Sequence, residues 1–374
     1  MSQKIGLNLP YNGTSLGNLG ILISKVLYER EKNGNDLDIS IFPIGGIDLS
    51  GWKEDKEFNA WIQSKVIKGM ESWDRAVPTF KLWHLQSSLE GFSNRPCLLS
   101  FVETDRPTKA ELNICRNNKV CFSSQYTIDT FKLYGIESYY LPLAFDDYNF
   151  KRIDKQYHAD KSRIVFNTVG KGENRKGHKK IIQAWIKKYG NNSKYVLQCS
   201  IYNDFLVQNT PQGIVDYNNN FIASIVGNNK PYNVSFFPKI KENTVYNDLL
   251  NSAQICIAMS HSEAWGLPEF HACSMGRHII ALDGHGYKGW ITPENAVLVK
   301  PTGKIDSADG VFFHPSQPFN QGSFLDWDET AFLDACDVAI KRVEQNPLNV
   351  EGLKLQENFN KDKFVDNILK YTLE

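Results

Sequence analysis

One stretch, residues 258–289, decides the fold; it reads AMSHSEAWGLPEFHACSMGRHIIALDGHGYKG. Apolar runs at 254–259 and 278–282 predict two buried parallel strands that bracket a helix. Pro268 suits the first turn of that helix, and Gly276 lies where a left-handed cap would end it. In open α/β sheets, ligands bind where loops leave the carboxyl ends of strands, and a helix N-terminus attracts an anion there. The loop before Pro268 is therefore the predicted binding loop.

The same stretch resembles the signature of retaining glycosyltransferases that have the GT-B fold, in the large GT4-like group. That signature is approximately S-x-x-E-G-x-G-L-P-x-x-E-A-x-x-x-G-x-P-V-I. The positions that match it in register are Ser260, Glu263, Gly266, Leu267, Pro268, Ala272, Gly276 and the pair Ile279 and Ile280. The resemblance implies that Glu263 meets hydroxyl groups of the donor sugar, and that Gly266 and Leu267 belong to the donor site.

The chain departs from the signature at His271, where relatives carry a second glutamate that holds the nucleotide ribose. Glu269 lies two residues early, about 200° away around a helix, so it cannot simply substitute. Histidine can hydrogen-bond a ribose hydroxyl through either ring nitrogen. We therefore predict that His271 is a donor-site residue; the alternative is a helix histidine that only packs.

A second match begins with the predicted strand 163–170, which the sequence KGENRKG follows at 171–177. Relatives read V-G-R, four residues, then K-G, so the spacing agrees if Lys171 replaces the arginine. The resemblance implies that Lys171 and Lys176 neutralise the leaving diphosphate in place of a metal. Arg175 could supply the bidentate fork that lysine lacks. A solvated basic turn is the alternative.

Loops of the first half receive roles from the same resemblance. Gly13 and Gly17 lie in the loop after the first strand, which borders the donor phosphates in relatives; alone, their spacing indicates no more than a turn. His84 follows a predicted strand and is a candidate acceptor contact or a structural histidine. Glu103 opens the segment ETDRP and is predicted to act in the catalytic region, with Asp105 on the acceptor side; a solvated strand end is the alternative.

Loops of the second half are less specific. Gly284 and Gly286 parallel a glycine-rich family loop beside the donor phosphates, where they would allow close backbone approach, and His285 between them is expected to point at solvent. The segment 302–324 has no clear family counterpart and is long for a loop, so it is either a functional flap or a disordered insert.

Composition narrows the function classes. The 374 residues carry 42 basic and 42 acidic side chains, so no overall basic field exists for nucleic acid or an anionic membrane. The seven cysteines form no C-x-x-C pair and predict reduced, buried thiols, and no metal-ligand framework is visible. Neither a signal peptide nor a membrane span is apparent, which predicts a cytoplasmic protein and leaves peripheral membrane association open.

The sequence therefore predicts an α/β chain of the GT-B class, with two Rossmann-like domains facing a central cleft. The expected divisions are 1–150 for the acceptor side, 151–345 for the donor side, and 346–374 for a terminal helix that crosses back to the first domain. The implied function is retaining, metal-independent sugar transfer from a UDP- or GDP-sugar to a glycan or a lipid-linked saccharide. The alternatives are a viral-type enzyme that glycosylates modified DNA bases and a non-catalytic member that only binds nucleotide sugar.

Overall fold

The computed structural model describes residues 3–88, 91–153, 162–203, 211–227, 231–309, 312–314 and 322–374. These ranges contain strands β1 (Gln3–Tyr11), β2 (Leu37–Ile47), β3 (Thr79–Leu82), β4 (Pro96–Ser100), β5 (Lys119–Phe122), β6 (Tyr139–Tyr140), β7 (Ile164–Lys171), β8 (Tyr195–Tyr202), β9 (Val234–Phe237), β10 (Ile255–Ala258), β11 (His278–Leu282), β12 (Ala296–Val299), β13 (Pro301–Asp306) and β14 (Ser323–Trp327). The helices are α1 (Ser15–Lys32), α2 (Lys56–Glu71), α3 (Lys109–Asn117), α4 (Gln125–Lys132), α5 (His178–Tyr189), α6 (Pro211–Val226), α7 (Asn243–Asn251), α8 (Leu267–Ser274), α9 (Glu329–Gln345), α10 (Val350–Leu353), α11 (Leu355–Asn358) and α12 (Lys361–Leu373).

The first half of the chain builds a parallel sheet of six strands in the order β2-β1-β3-β4-β5-β6. Its strands are short apolar runs, and β4 buries four of its five residues, as expected when helices cover both faces. The strand order reverses between β1 and β3, so the loops that follow these two strands open a crevice at the carboxyl edge of the sheet. Gly13 lies in the first of these loops and His84 in the second, while Gly17 lies in the first turn of α1.

The second half builds another parallel sheet of six strands, in the order β12-β11-β10-β7-β8-β9. This is the doubly wound order of a Rossmann-like domain, and its direction reverses between β7 and β10. The two stretches that the sequence singled out leave the sheet at this reversal, because 171–177 begins at the last residue of β7 and 260–266 follows β10. The sheet topology therefore brings them together although 87 residues separate Lys176 from Glu263.

Helix α8 begins and ends as the sequence predicted. Gly266 is its N-cap at φ +80° and Pro268 lies in its first turn, while Gly276 adopts φ +80° just beyond Met275, the C-cap. A left-handed residue after the last turn lets the chain reverse into β11.

The segment 302–324, expected to be a functional flap or a disordered insert, is ordered at its two ends. There β13 and β14 form an antiparallel hairpin that belongs to neither six-stranded sheet. The connection is described at 307–309, 312–314 and Gly322, while 310–311 and 315–321 lie outside the described residues.

The terminal helix α12 packs on α1 of the first half. Arg30 Nη1 lies 2.6 Å from Asp366 Oδ1, and Phe364 and Ile368 are buried in the same apolar cluster as Leu22 of α1. Among the described residues, no helix is both long and apolar enough to cross a membrane.

Candidate functional site

A short turn after β7 places two basic side chains inside the protein. Asn174–Lys176 forms a single 3-10 turn, and Gly177 then adopts φ +67°, which turns the chain into α5. A Cβ at Gly177 would lie 3.3 Å from the ring of His261, so both the dihedral and the space favour glycine. Arg175 and Lys176 are consequently buried, at 5% and 7% exposure.

Lys176 and Glu263 form a buried ion pair across the reversal point of the second sheet. The Nζ of Lys176 donates to Oε1 of Glu263, and Nη1 of Arg175 lies 3.2 Å from the same oxygen. Burial alone would raise the pKa of Glu263, but the charges of Lys176 and Arg175 outweigh it and lower the pKa to about 2. Glu263 is therefore a carboxylate at every physiological pH.

Arg175 gathers further partners around its guanidinium. Its Nη1 donates to the carbonyl oxygen of Ser262 at 2.7 Å, and its Nη2 donates to Glu173 Oε2 at 3.0 Å. Glu173 has a fully buried side chain, and its second oxygen lies 3.9 Å from Nζ of Lys171, which is about one-third exposed. Burial lowers the pKa of Lys171, against the charges of Glu173 and Glu103.

The first domain contributes Glu103 to this cluster. Its Oε1 lies 3.1 Å from Arg175 Nη1, and its carbonyl oxygen accepts a hydrogen bond from the hydroxyl of Ser262. Burial raises the pKa of Glu103 above its usual value, partly offset by Arg175. The four residues predicted to act in the catalytic region, Glu103, Lys171, Lys176 and Glu263, are thus brought to one cluster, in which both halves of the chain take part.

Glu269 lies beneath the binding loop at 1% exposure. Its Oε1 is 3.5 Å from the hydroxyl of Tyr287, while its Oε2 has no hydrogen-bond partner in the described part of the chain. A Cβ on Gly266 would come 2.3 Å from the Tyr287 ring and 3.2 Å from Glu269 Oε2, so this loop position requires glycine. Burial raises the pKa of Glu269 to about 7, opposed by the nearby Lys176.

His271 points elsewhere on α8, as the helical angle predicts. It is 5% exposed and stacks on Phe150 with a ring separation of 4.2 Å. Its Nδ1 makes no hydrogen bond to any described residue, and burial lowers its pKa to about 3. Its role at the donor remains a prediction.

The glycine-rich loop packs directly beneath the binding loop. A Cβ on Gly286 would lie 2.2 Å from the backbone of Ala264, so only glycine fits. His285, expected at the solvent, is instead 2% exposed: its Nδ1 accepts from the backbone N–H of Glu263 at 3.1 Å, and its Nε2 lies 3.2 Å from the Ser260 carbonyl. The binding loop folds over His285, which hydropathy alone does not reveal.

The two acceptor-side candidates have different surroundings. Asp105 accepts from the backbone N–H of Ser323 at 2.7 Å and lies 2.6 Å from Nζ of Lys304, so the β13–β14 hairpin engages both its oxygens. His84 is exposed at the end of β3, and partial desolvation together with the charge of Lys171 lowers its pKa. Both residues lie on the first-domain side of the cluster.

The remaining donor-site candidates occupy helix starts and loops. Gly17 lies in the first turn of α1, where its N–H donates to the Thr14 hydroxyl at 3.3 Å; Gly13 precedes it, and a Cβ there would meet open space. Leu267 is the first residue of α8. A Cβ on Gly284 would lie 2.2 Å from Leu325 of the hairpin.

Two open cavities, of about 380 and 680 Å³, lie away from this cluster. The first is lined by residues such as Arg95 and Lys119 at the amino edge of the first sheet, and the second by residues such as Gln183 and Ser224. Within the described residues, no group of three or more His, Cys, Asp or Glu side chains could hold a metal ion.

Comparison with family models and with curated protein sequences finds no match. Solved structures do match over the whole chain. A sucrose-phosphate synthase from Thermosynechococcus elongatus superposes with a TM-score of 0.61 at 14% identity, covering 98% of each chain. A UDP-forming trehalose-phosphate synthase from Burkholderia vietnamiensis gives 0.61 at 12% identity, covering 99% of this chain and 96% of that one.

WaaG, a glycosyltransferase involved in lipopolysaccharide biosynthesis, gives a TM-score of 0.59 at 12% identity and covers 97% of this chain and 99% of that one. This chain has the GT-B fold. The predicted fold class is thereby confirmed, with two Rossmann-like sheets whose carboxyl edges supply the clustered side chains. At 12–14% identity the likeness extends to the fold alone.

Proposed function

We propose that this chain is a glycosyltransferase that moves a sugar from a nucleoside-diphosphate sugar to an acceptor hydroxyl. One observation carries the proposal: Lys176 and Arg175 converge on Glu263 at the reversal point of the second sheet, where open α/β folds bind nucleotides. We propose a UDP-sugar as the donor, because the solved structures with this fold include a UDP-forming synthase. A GDP-sugar is the other candidate.

The proposed reaction retains the anomeric configuration and needs no metal. The oxygen of the acceptor hydroxyl bonds to the anomeric carbon while the bond from that carbon to the phosphate oxygen breaks. The diphosphate leaves with the electron pair and takes the acceptor proton. Lys171 and Lys176 balance its charge, and the partial positive charge at the N-terminal end of α8 adds to this field.

Glu263 would orient the donor sugar by accepting hydrogen bonds from its hydroxyls. Its low pKa keeps its carboxylate ionised, so both oxygens can accept hydrogen bonds. The bonds to Lys176 and Arg175 hold this carboxylate in position. The acceptor would enter from the first domain, near His84 and Glu103. Neither a glycan nor a lipid-linked saccharide is favoured by these side chains, and the neutral net charge disfavours duplex DNA.

The seven cysteines are all buried free thiols, which fits a reducing compartment such as the cytoplasm. A lipid-linked acceptor would additionally require peripheral contact with a membrane.

A thermal-shift panel of nucleoside diphosphates and nucleotide sugars, with and without EDTA, tests the proposal. A ligand at about 100 times its dissociation constant stabilises the binding-competent state by about 2.7 kcal/mol, which is measurable. We expect one nucleotide to raise the melting temperature with no effect of EDTA, and radiolabelled sugar to be transferred or slowly hydrolysed. A chain that binds nucleotide sugar but neither transfers nor hydrolyses it would be the non-catalytic alternative. No shift with any nucleotide would contradict the proposal.

A further inference from the structure

The guanidinium of Arg175 is surrounded by three carboxylates. Glu103 and Glu263 lie 3.1 and 3.2 Å from Nη1, and Glu173 lies 3.0 Å from Nη2. The Nε of Arg175, although buried, has no hydrogen-bond partner among the described residues. A buried N–H without a partner is uncommon and indicates a place for a ligand oxygen.

The three carboxylates are not held equally. The Glu173 side chain is fully buried within the same turn as Arg175, and Glu263 is also bound by Lys176. Glu103 comes from the other domain and its side chain is 29% exposed. Burial and the two neighbouring carboxylates raise the pKa of Glu103, whereas that of Glu263 is lowered to about 2. Glu103 is therefore the carboxylate that costs least to remove from Arg175.

Charge balance gives a reason for its removal. The cations Lys171, Arg175 and Lys176 face the anions Glu103, Glu173 and Glu263, and the charge of the buried Asp309 also acts on Arg175, so the site holds no excess of positive charge. A diphosphate that entered it unchanged would add two or more negative charges without compensation, at short range and in a low dielectric. Loss of one carboxylate from Arg175 removes a negative charge from the place where the diphosphate has to bind.

We propose that Glu103 is a displaceable anion that occupies Arg175 until a diphosphate takes its place. The inference rests on the proposed function, because it takes the ligand to be a nucleoside diphosphate. The incoming phosphate oxygens replace the Glu103 carboxylate at Nη1 and engage the unpaired Nε. The released carboxylate then faces the cleft between the domains, where it can accept a hydrogen bond from the acceptor hydroxyl.

Only the side chain has to move. Two residues along the chain, Asp105 is held by Ser323 and Lys304 of the hairpin, and the Glu103 carbonyl is held by Ser262. These contacts keep the loop in place while the carboxylate leaves. Donor binding thereby frees Glu103 for the acceptor without opening the two domains.

Titration calorimetry with inorganic pyrophosphate and with UDP tests this exchange at low salt. Glu103→Gln should bind pyrophosphate about tenfold more tightly than the wild type, because no anion competes for Arg175. Glu103→Ala should show the same direction, and Glu103→Asp, which keeps the charge, should stay near the wild-type affinity. Glu57→Gln is the matched control, since Glu57 is an exposed first-domain glutamate paired with Lys32.

If Glu103 had only a structural role, both neutral variants, Glu103→Gln and Glu103→Ala, would bind pyrophosphate more weakly than the wild type. Equal or weaker pyrophosphate binding by Glu103→Gln and Glu103→Ala, with UDP still bound by the wild type, would overturn the exchange but leave the proposed function standing. Absence of UDP and pyrophosphate binding in every variant would overturn both.

Discussion

The ring of His271 lies parallel to that of Phe150, with 4.2 Å between the centroids and 14° between the planes. Phe150 belongs to the segment that leaves the first domain, so this pair joins α8 to the chain between the two halves. The stack keeps the histidine neutral, since burial lowers its pKa to about 3. A residue expected to bind nucleotide is therefore also part of the apolar packing.

His271→Phe should raise stability in mild acid. In the native state the ring stays neutral, whereas the unfolded chain takes a proton below about pH 6.5, so His271 costs stability as pH falls from that value toward about 3. At pH 5 the cost is about 2 kcal/mol, and phenylalanine removes it. Urea unfolding at pH 5 and pH 7.5 measures the difference. A variant equally destabilised at both pH values would contradict the predicted titration, and weaker UDP binding by a stable variant would support the donor role.

Lys176→Met should lower both stability and activity, for different reasons. Removing one partner leaves the Glu263 charge buried with only Arg175 beside it, which costs about 3 kcal/mol. The loss of a cation from the diphosphate site should lower kcat by about a hundredfold or more. Chemical unfolding and a sugar-transfer assay measure the two effects.

The double variant Lys176→Met with Glu263→Gln separates these effects. Neutralising both partners should restore most of the stability without restoring transfer. If activity returned together with stability, Lys176 would be a structural residue and the diphosphate assignment would be wrong.

Glu269→Gln should stabilise the protein at alkaline pH. The folded-state pKa of about 7 exceeds the usual 4.5, so the native state holds a proton that the unfolded chain has lost. Stability is therefore full below about pH 4.5 and falls as pH rises through about 7, by about 3 kcal/mol in total. Glutamine should abolish that fall, as measured by urea unfolding at pH 5 and pH 8. Persistence of the same slope in the variant would show that another group causes it.

Local signals in the sequence were sufficient to predict where most strands and helices lie and which two loops leave the second sheet at its reversal point. Apolar runs of four to eight residues marked most strands, because a parallel strand is buried on both faces and its pattern needs no partner to be recognised. Pro268 and Gly276 fixed the ends of α8, since a proline at the start and a left-handed residue at the end are local backbone requirements. The spacing from Lys171 to Lys176 likewise depends on one turn.

The sequence did not predict that polar side chains within loops would be buried. His285 was expected at the solvent because glycines flank it, yet the loop 260–266 folds over it and uses both its ring nitrogens. Glu173 looked like one polar residue of a charged turn, and it is fully buried between Lys171 and Arg175. A hydropathy profile averages over residues that are adjacent in sequence, so it does not detect a polar residue that a distant loop buries.

The sequence by itself determined the α/β alternation, the helix ends and the identity of the basic and acidic side chains that could meet a diphosphate sugar. The tertiary structure alone decided how they pair: Glu103 with Arg175 across the domains, Lys176 with Glu263 across the sheet reversal, and Asp105 with the hairpin. The reason is physical. A helix or strand is specified by near neighbours, but the partner, burial and pKa of a charge are set by groups many residues away.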